Sequence, residues 1–215
     1  MKILGIDESG RGPVLGPLVL CGYLIDEEKL PLLKKLGVKD SKLLTAEKRE
    51  AMFLDLKKIS DGIKIIKVPA HEIDSSDNLN TLEIRKMQEI INSLQADIVY
   101  IDSPEKNTKK FSQKITEGLK NDVEIVAENY ADSKYLQVGA ASIVAKVTRD
   151  ADILKLHKIY GNFGSGYTSD ERTIAFLKDW IKKNKEFPLE VRKSWITIEE
   201  MMREKHQKKL DAFGK

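Results

Sequence analysis

The sequence predicts an α/β domain with a central sheet flanked by helices, and three observations carry that expectation. Apolar strand-like runs alternate with segments of helical spacing along most of the chain. Glycine and proline break the chain between them. Two of the apolar runs end in carboxylates, Ile3-Leu-Gly-Ile6 in Asp7-Glu8 and Ile98-Val-Tyr-Ile101 in Asp102, the place where open α/β sheets form ligand crevices.

In order along the chain, residues 2–7 and 18–25 are predicted as strands too apolar for an exposed edge. Helices are predicted over 27–36 and from an N-cap at Thr45 to about Ile59, followed by an alternating strand over 62–68. Apolar spacing at Leu82, Met87, Ile90, Ile91 and Leu94 predicts a helix over 80–94, and 97–102 a strand. A Lys-rich helix over 108–119, a strand over 123–127 and a long helix over 142–160 come next. The glycine-rich segment 161–167 then leads into a helix with Ser169 as its expected cap. Pro188 marks a break, and Thr197 with Glu200 forms a capping-box pattern for a last helix to about Leu210. The expected organisation is a catalytic-size domain over residues 1–187 and a small helical extension over 188–215.

Composition narrows the chemistry. The chain has 215 residues, enough for a sizeable core, and its longest apolar run, 14–25, is interrupted by Gly16, Pro17 and Gly22 and too short for a bilayer span. With no signal-peptide pattern, a cytoplasmic protein without a membrane partner is expected. Cys21 is the single cysteine, so a thiolate zinc cluster is excluded, and His71, His157 and His206 form no metal-binding spacing. Metal chemistry in this chain must rest on carboxylates, which favour Mg²⁺ or Mn²⁺. The net charge of +3 is the small difference of 37 basic and 34 acidic residues and decides nothing. Residues 178–215 carry 11 Lys and Arg against 7 Asp and Glu, an excess suited either to a phosphate backbone or to a solvated helix surface.

Any one strand-end acid is more often a turn or cap residue than a ligand; repetition at two strand ends tilts the balance towards metal binding. Gly10-Arg-Gly-Pro-Val-Leu-Gly16 superficially fits a dinucleotide fingerprint, but its spacing is wrong and a strand, not a helix, follows it. Gly10 and Gly12 instead allow close main-chain approach to a ligand, with Arg11 adding charge.

Gly5-Ile-Asp-Glu-Ser-Gly-Arg-Gly-Pro-Val-Leu-Gly-Pro17 closely resembles the opening signature of type 2 ribonuclease H. Lys39-Asp-Ser-Lys-Leu43, Tyr100-Ile-Asp102, Ala131-Asp132 with Ala140-Ala-Ser-Ile-Val-Ala-Lys146, and Gly164-Ser-Gly-Tyr-Thr-Ser-Asp170 resemble further motifs of that family in the right order, from Ile3 to about Trp195. The details, including Val191-Arg-Lys-Ser-Trp195, look most like its archaeal branch. Glu128-Asn129-Tyr130 departs from the more basic approach expected before the fourth acid.

The resemblance implies a ribonuclease H-like mixed β-sheet and an endonuclease that cuts the RNA strand of RNA/DNA hybrids and 5′ to ribonucleotides embedded in duplex DNA. It implies metal binding and catalysis by Asp7, Glu8, Asp102 and Asp132. Two divalent ions roughly 4 Å apart would relieve the repulsion of four carboxylates and stabilise an in-line phosphoryl displacement that leaves 3′-hydroxyl and 5′-phosphate ends. Nucleic-acid contacts are implied for Gly10, Arg11, Gly12, Lys42, Ser142, Lys146 and Tyr167, the tyrosine packing on the deoxyribose beside a ribonucleotide. Sensing a 2′-hydroxyl is what separates RNA from DNA. Ribonucleotide excision, primer removal and a monomeric state follow from the same resemblance.

Near the C-terminus, Gln207, Leu210 and Phe213 fit the core of a peptide that binds replication sliding clamps, while Leu210 and Phe213 equally fit the apolar stripe of a last helix. Two other functions compete. A sugar or acetate kinase would share a glycine-rich turn after the first strand, but requires a duplicated domain, and the chain shows no internal repeat. A non-catalytic nucleic-acid-binding module would have no use for four acids.

Overall fold

The computed structural model describes residues 1–38 and 45–213, apart from the side chains of residue 206 and residues 208–213. Five strands, β1 (Lys2–Ser9), β2 (Leu18–Asp26), β3 (Gly62–Val68), β4 (Ile98–Asp102) and β5 (Glu124–Glu128), form one sheet in the order β3-β2-β1-β4-β5. The sheet is mixed: β1 runs antiparallel to β2 and parallel to β4, and β4 runs parallel to β5. Buried without a break over residues 3–7 and 18–25, β1 and β2 read as near-continuous apolar runs because both faces are covered.

The helices are α1 (Leu30–Leu36), α2 (Ala46–Ile59), α3 (Ala70–Asp74), α4 (Leu79–Ser93), α5 (Thr108–Glu117), α6 (Ala131–Lys134), α7 (Leu136–Tyr160), α8 (Glu171–Lys183) and α9 (Ile196–Phe213). Thr45 caps α2 as expected, its hydroxyl accepting from the Lys48 N–H. The helix expected over 27–36 is a 3₁₀ turn, Glu27–Lys29, followed by α1, because Pro31 sits in the first turn of the α-helix. α8 is capped by Asp170 and not by Ser169. That carboxylate accepts from the Arg172 N–H and side chain as well as from Ser165 N–H, an anchorage a serine hydroxyl cannot match. α9 starts at Ile196, so Thr197 lies inside it and not at its cap.

α7 begins six residues before the expected Ser142, and close packing explains why. A Cβ on Gly5 of β1 would stand 2.3 Å from the Gln137 carbonyl group, so the helix backbone lies directly against the strand. Gly139, Ala140, Ala141 and Ala145 are small, and the weak hydrophobic periodicity of this stretch conceals the helix start.

The chain divides into two compact units, residues 1–9, 19–67 and 78–149 in the first and 10–18, 68–77 and 150–215 in the second. The first is built on the sheet, with Ile3, Val19, Cys21, Tyr23 and Ile25 packed among Leu33, Leu56, Ile143 and Val144. Cys21 is fully buried opposite Asp7 in the β1–β2 ladder, and burial pushes its thiol far above its ordinary range. The second has its own core of Val14, Leu15, Phe163, Leu177, Ile181, Phe187, Val191 and Ile198. Among the described residues no helix is long and apolar enough to cross a membrane.

Candidate active site

Parallel pairing of β1 with β4 sets Ile6 opposite Ile101, so Asp7 and Asp102, the next residue of each strand, stand at the same level of the sheet. β5 ends at Glu128, and Tyr130 then turns the chain through the left-handed region at φ 59°, a conformation costing a non-glycine residue about 1 kcal/mol. The turn aims the Ala131 N–H at Asp102 Oδ1, 3.0 Å away, and starts α6, which carries Asp132. Asn129 braces the same turn, its side-chain amide donating to the carbonyls of Ser103 and Glu105.

One carboxylate oxygen from each of Asp7, Asp102 and Asp132 lies within 4.8 Å of the other two. Asp7 is 5% exposed and Asp132 7%. Burial pushes the Asp7 carboxyl up to about 7. Hydrogen bonds from the Ser142 hydroxyl on α7 and the Glu8 N–H oppose that rise, whereas the charges of Asp102 and Asp132 add to it. Three acids held so close are stable together only with protons or a cation among them. An all-oxygen donor set of this kind suits a hard divalent ion. Glu8 follows Asp7 on β1, half-buried, and lies outside that group of oxygens, in keeping with the alternation of side chains along a strand.

In the second unit, Gly10–Leu18 is tied to two other segments. Val14 and Leu15 N–H groups donate to the Gly166 carbonyl at 2.9 and 3.2 Å, and Leu15 bridges Val191. Tyr167, 38% exposed, lies beside Gly12: a Cβ there would meet its ring at 3.7 Å. The Tyr167 loop is itself pinned. His157 Nε2 bonds the Gly164 carbonyl at 2.8 Å, Thr173 accepts from the Gly166 N–H and donates to the Phe163 carbonyl, and Gly161, Gly164 and Gly166 take up positive φ.

The mixed sheet and the carboxylates at its strand ends define the class, a metal-dependent hydrolase on a ribonuclease H-like fold. The model of the Ribonuclease HII family matches residues 4–198. Ribonuclease HII of Pyrococcus horikoshii is 46% identical over 221 residues, covering all of both chains. The crystal structure of ribonuclease H2 from Pyrococcus horikoshii superposes with a TM-score of 0.92 at 43% identity, covering 95% of this chain and 98% of that one. A ribonuclease HII from Archaeoglobus fulgidus, solved in complex with PCNA, gives 0.84 at 39% identity over 91% and 95% of the two chains. The chain belongs to the ribonuclease HII family: it is a metal-dependent endoribonuclease that acts on RNA/DNA hybrids.

The structure thus brings together three of the four expected acids, and separately Gly10, Arg11, Gly12 and Tyr167. Ser142, expected at the nucleic acid, is hydrogen-bonded to Asp7. Lys146 is half-buried one turn further along α7. Lys42 lies outside the described residues, as do the side chains of Leu210 and Phe213; Gln207 is exposed on α9. Arg192 and Trp195, which hold the glycine loop, gave no signal as site residues, because an arginine buried to serve backbone carbonyls has no sequence pattern of its own.

Proposed function

We propose that this protein cuts 5′ to ribonucleotides embedded in duplex DNA as well as within RNA/DNA hybrids, leaving 3′-hydroxyl and 5′-phosphate ends. The observation that carries this reading is the convergence within 4.8 Å of Asp7 on β1, Asp102 on β4 and Asp132 on α6. These three, with Glu8, would hold two Mg²⁺ or Mn²⁺ ions, which supply water activation and charge neutralisation at the reacting phosphate. The chain's own contribution is to fix the carboxylates before substrate arrives. Ser142 and the Glu8 N–H orient Asp7, and the Ala131 N–H orients Asp102.

Gly10, Arg11 and Gly12 contact the sugar carrying the 2′-hydroxyl, and Tyr167, beside Gly12, packs on the neighbouring deoxyribose. Lys42, Ser142 and Lys146 contact the nucleic acid, the two lysines as point charges at the phosphate backbone. The monomeric, cytoplasmic enzyme acts in ribonucleotide excision and RNA primer removal. The Archaeoglobus fulgidus relative bound to PCNA supports a second contact, in which Gln207, Leu210 and Phe213 engage a replication sliding clamp.

The test is cleavage of a labelled DNA duplex bearing one ribonucleotide, in Mg²⁺ and in EDTA, by the parent and by Asp7→Asn. Metal-dependent cutting on the 5′ side, lost in the variant, is expected. Cutting of long hybrids alone would remove the junction reading and leave the nuclease.

A further inference from the structure

The carbonyl groups of the Gly10–Gly16 loop are held by two side chains from one short segment. Arg192 is fully buried, and its guanidinium donates to Gly10 O at 2.6 Å, Arg11 O at 2.9 Å and Gly16 O at 3.0 and 3.2 Å. The same group stands 5.0 Å over the ring of Trp195, whose Nε1–H donates to Gly12 O at 3.1 Å. The main chain adds two bonds, Arg192 N–H to Val14 O and Gly16 N–H to Glu190 O, both at 2.9 Å. Three successive carbonyls, those of Gly10, Arg11 and Gly12, are therefore taken by Arg192 and Trp195.

Fixing those oxygens fixes more than the oxygens. In a planar trans peptide the N–H points opposite to the C=O, and none of the described residues has a cis peptide. Anchoring Gly10 O thus turns the Arg11 N–H away from the guanidinium, and anchoring Arg11 O does the same for the Gly12 N–H. The next peptide has no N–H, because residue 13 is proline. Glycine would otherwise let these peptide planes rotate, since Gly10 at φ 89° occupies a region open to few other residues.

We propose that Arg192 and Trp195 are positioning residues for ribonucleotide recognition: Arg192, by clamping the carbonyls of Gly10 and Arg11, orients the N–H groups that read the 2′-hydroxyl, and Trp195, stacked under that guanidinium and bonded to Gly12 O, holds both Arg192 and the loop in place. This role rests on the reading, given above, that the Gly10–Gly12 loop contacts the sugar. It assigns to residues 192–195 a part in specificity without any contact to substrate. Arginine suits the task because a single planar fork reaches three carbonyls; lysine offers one point of charge.

The experiment uses the full chain and a DNA duplex bearing one ribonucleotide, with parent, Trp195→Phe and Arg192→Lys compared by steady-state kinetics and thermal melting. Trp195→Phe keeps the aromatic ring and removes one hydrogen bond. It is expected to raise KM roughly three- to tenfold, with the loss falling on KM more than on kcat, and to lower the preference for the ribonucleotide duplex over a long hybrid by a similar factor. Arg192→Lys is expected to do so more strongly, by roughly a hundredfold. Should Arg192→Lys fail to fold, Trp195→Phe decides alone. A folded Trp195→Phe protein with the parent's KM and the parent's preference would overturn the role. A parent that does not cut beside a single ribonucleotide would overturn the reading of the loop, and the role with it.

Discussion

The two units of this chain build their sites by different means. In the first, position comes from the sheet: parallel register levels Asp7 with Asp102, and a strained turn after β5 delivers Asp132. In the second, position comes from side chains reaching onto main-chain oxygens, with Arg192, Trp195, His157 and Thr173 holding two glycine-rich loops. The difference follows from what each site presents. Carboxylates that repel one another need a rigid frame, and a ladder of backbone bonds supplies it. A loop that offers its own N–H groups cannot spend them on a sheet, so its carbonyls must be tied down by other residues.

If the first site is purely a matter of frame and charge, removing one carboxylate should have the largest effect of any single change. Asp102→Asn is expected to lower hybrid cleavage in Mg²⁺ roughly a thousandfold or more while the fold is retained, as measured by product formation and circular dichroism. Residual cleavage above a tenth of the parent rate would break the claim that the three acids act as a unit. Disturbing the frame itself should come next. Gly5→Ala places a methyl 2.3 Å from the Gln137 backbone, which flexible side chains cannot relieve, and is expected to cost about 3 kcal/mol in denaturant unfolding.

The charge on Asp7 sharpens the contrast through pH. Its carboxyl, ordinarily near 3.8, is pushed up to about 7 in the fold, so the folded state retains a proton the unfolded chain gives up. Stability from this group is present at low pH and is lost as pH rises through 4 towards 7. In EDTA at pH 8, Asp7→Asn should therefore be more stable than the parent, by on the order of 2 kcal/mol. At pH 4 the gap should close, and Mg²⁺ at pH 8 should restore the parent. Thermal melts over that range that show no difference would place the strain elsewhere. The smallest effect belongs to the second unit: Tyr167→Ala should lower the preference for a single-ribonucleotide duplex by roughly tenfold or less and leave the rate on long hybrids near the parent's, because packing on a sugar is worth only about 1 kcal/mol.

Legibility in the sequence follows the same division. The strands ending in Asp7 and Asp102 could be read because an acid after a buried apolar run is a local signal, and the signature residues around them extended it to Asp132. The order of the sheet was not readable, since strand pairing is set by contacts far apart in the chain. Residues 136–141 were missed as helix because Leu-Gln-Val-Gly-Ala-Ala carries little helical periodicity, and its packing of the Gln137 backbone on Gly5 has no local signal. Ser142 was expected at the substrate, and its hydrogen bond to Asp7 is a second role that only the turn of the helix over the strand reveals. Arg192 stood only inside a segment of family resemblance and its role left no trace: its partners are carbonyls, and every residue has one.

Cys21 lies opposite Asp7 in the β1–β2 ladder and is the single thiol in the chain. A thiol so deeply buried and so reluctant to ionise reacts only when the strands around it part. It therefore serves as a built-in clock: the rate at which an alkylating reagent consumes it reports how often the floor of the carboxylate cluster opens. A divalent ion, which Asp7 and Asp102 would hold, would slow that clock without touching the sulfur.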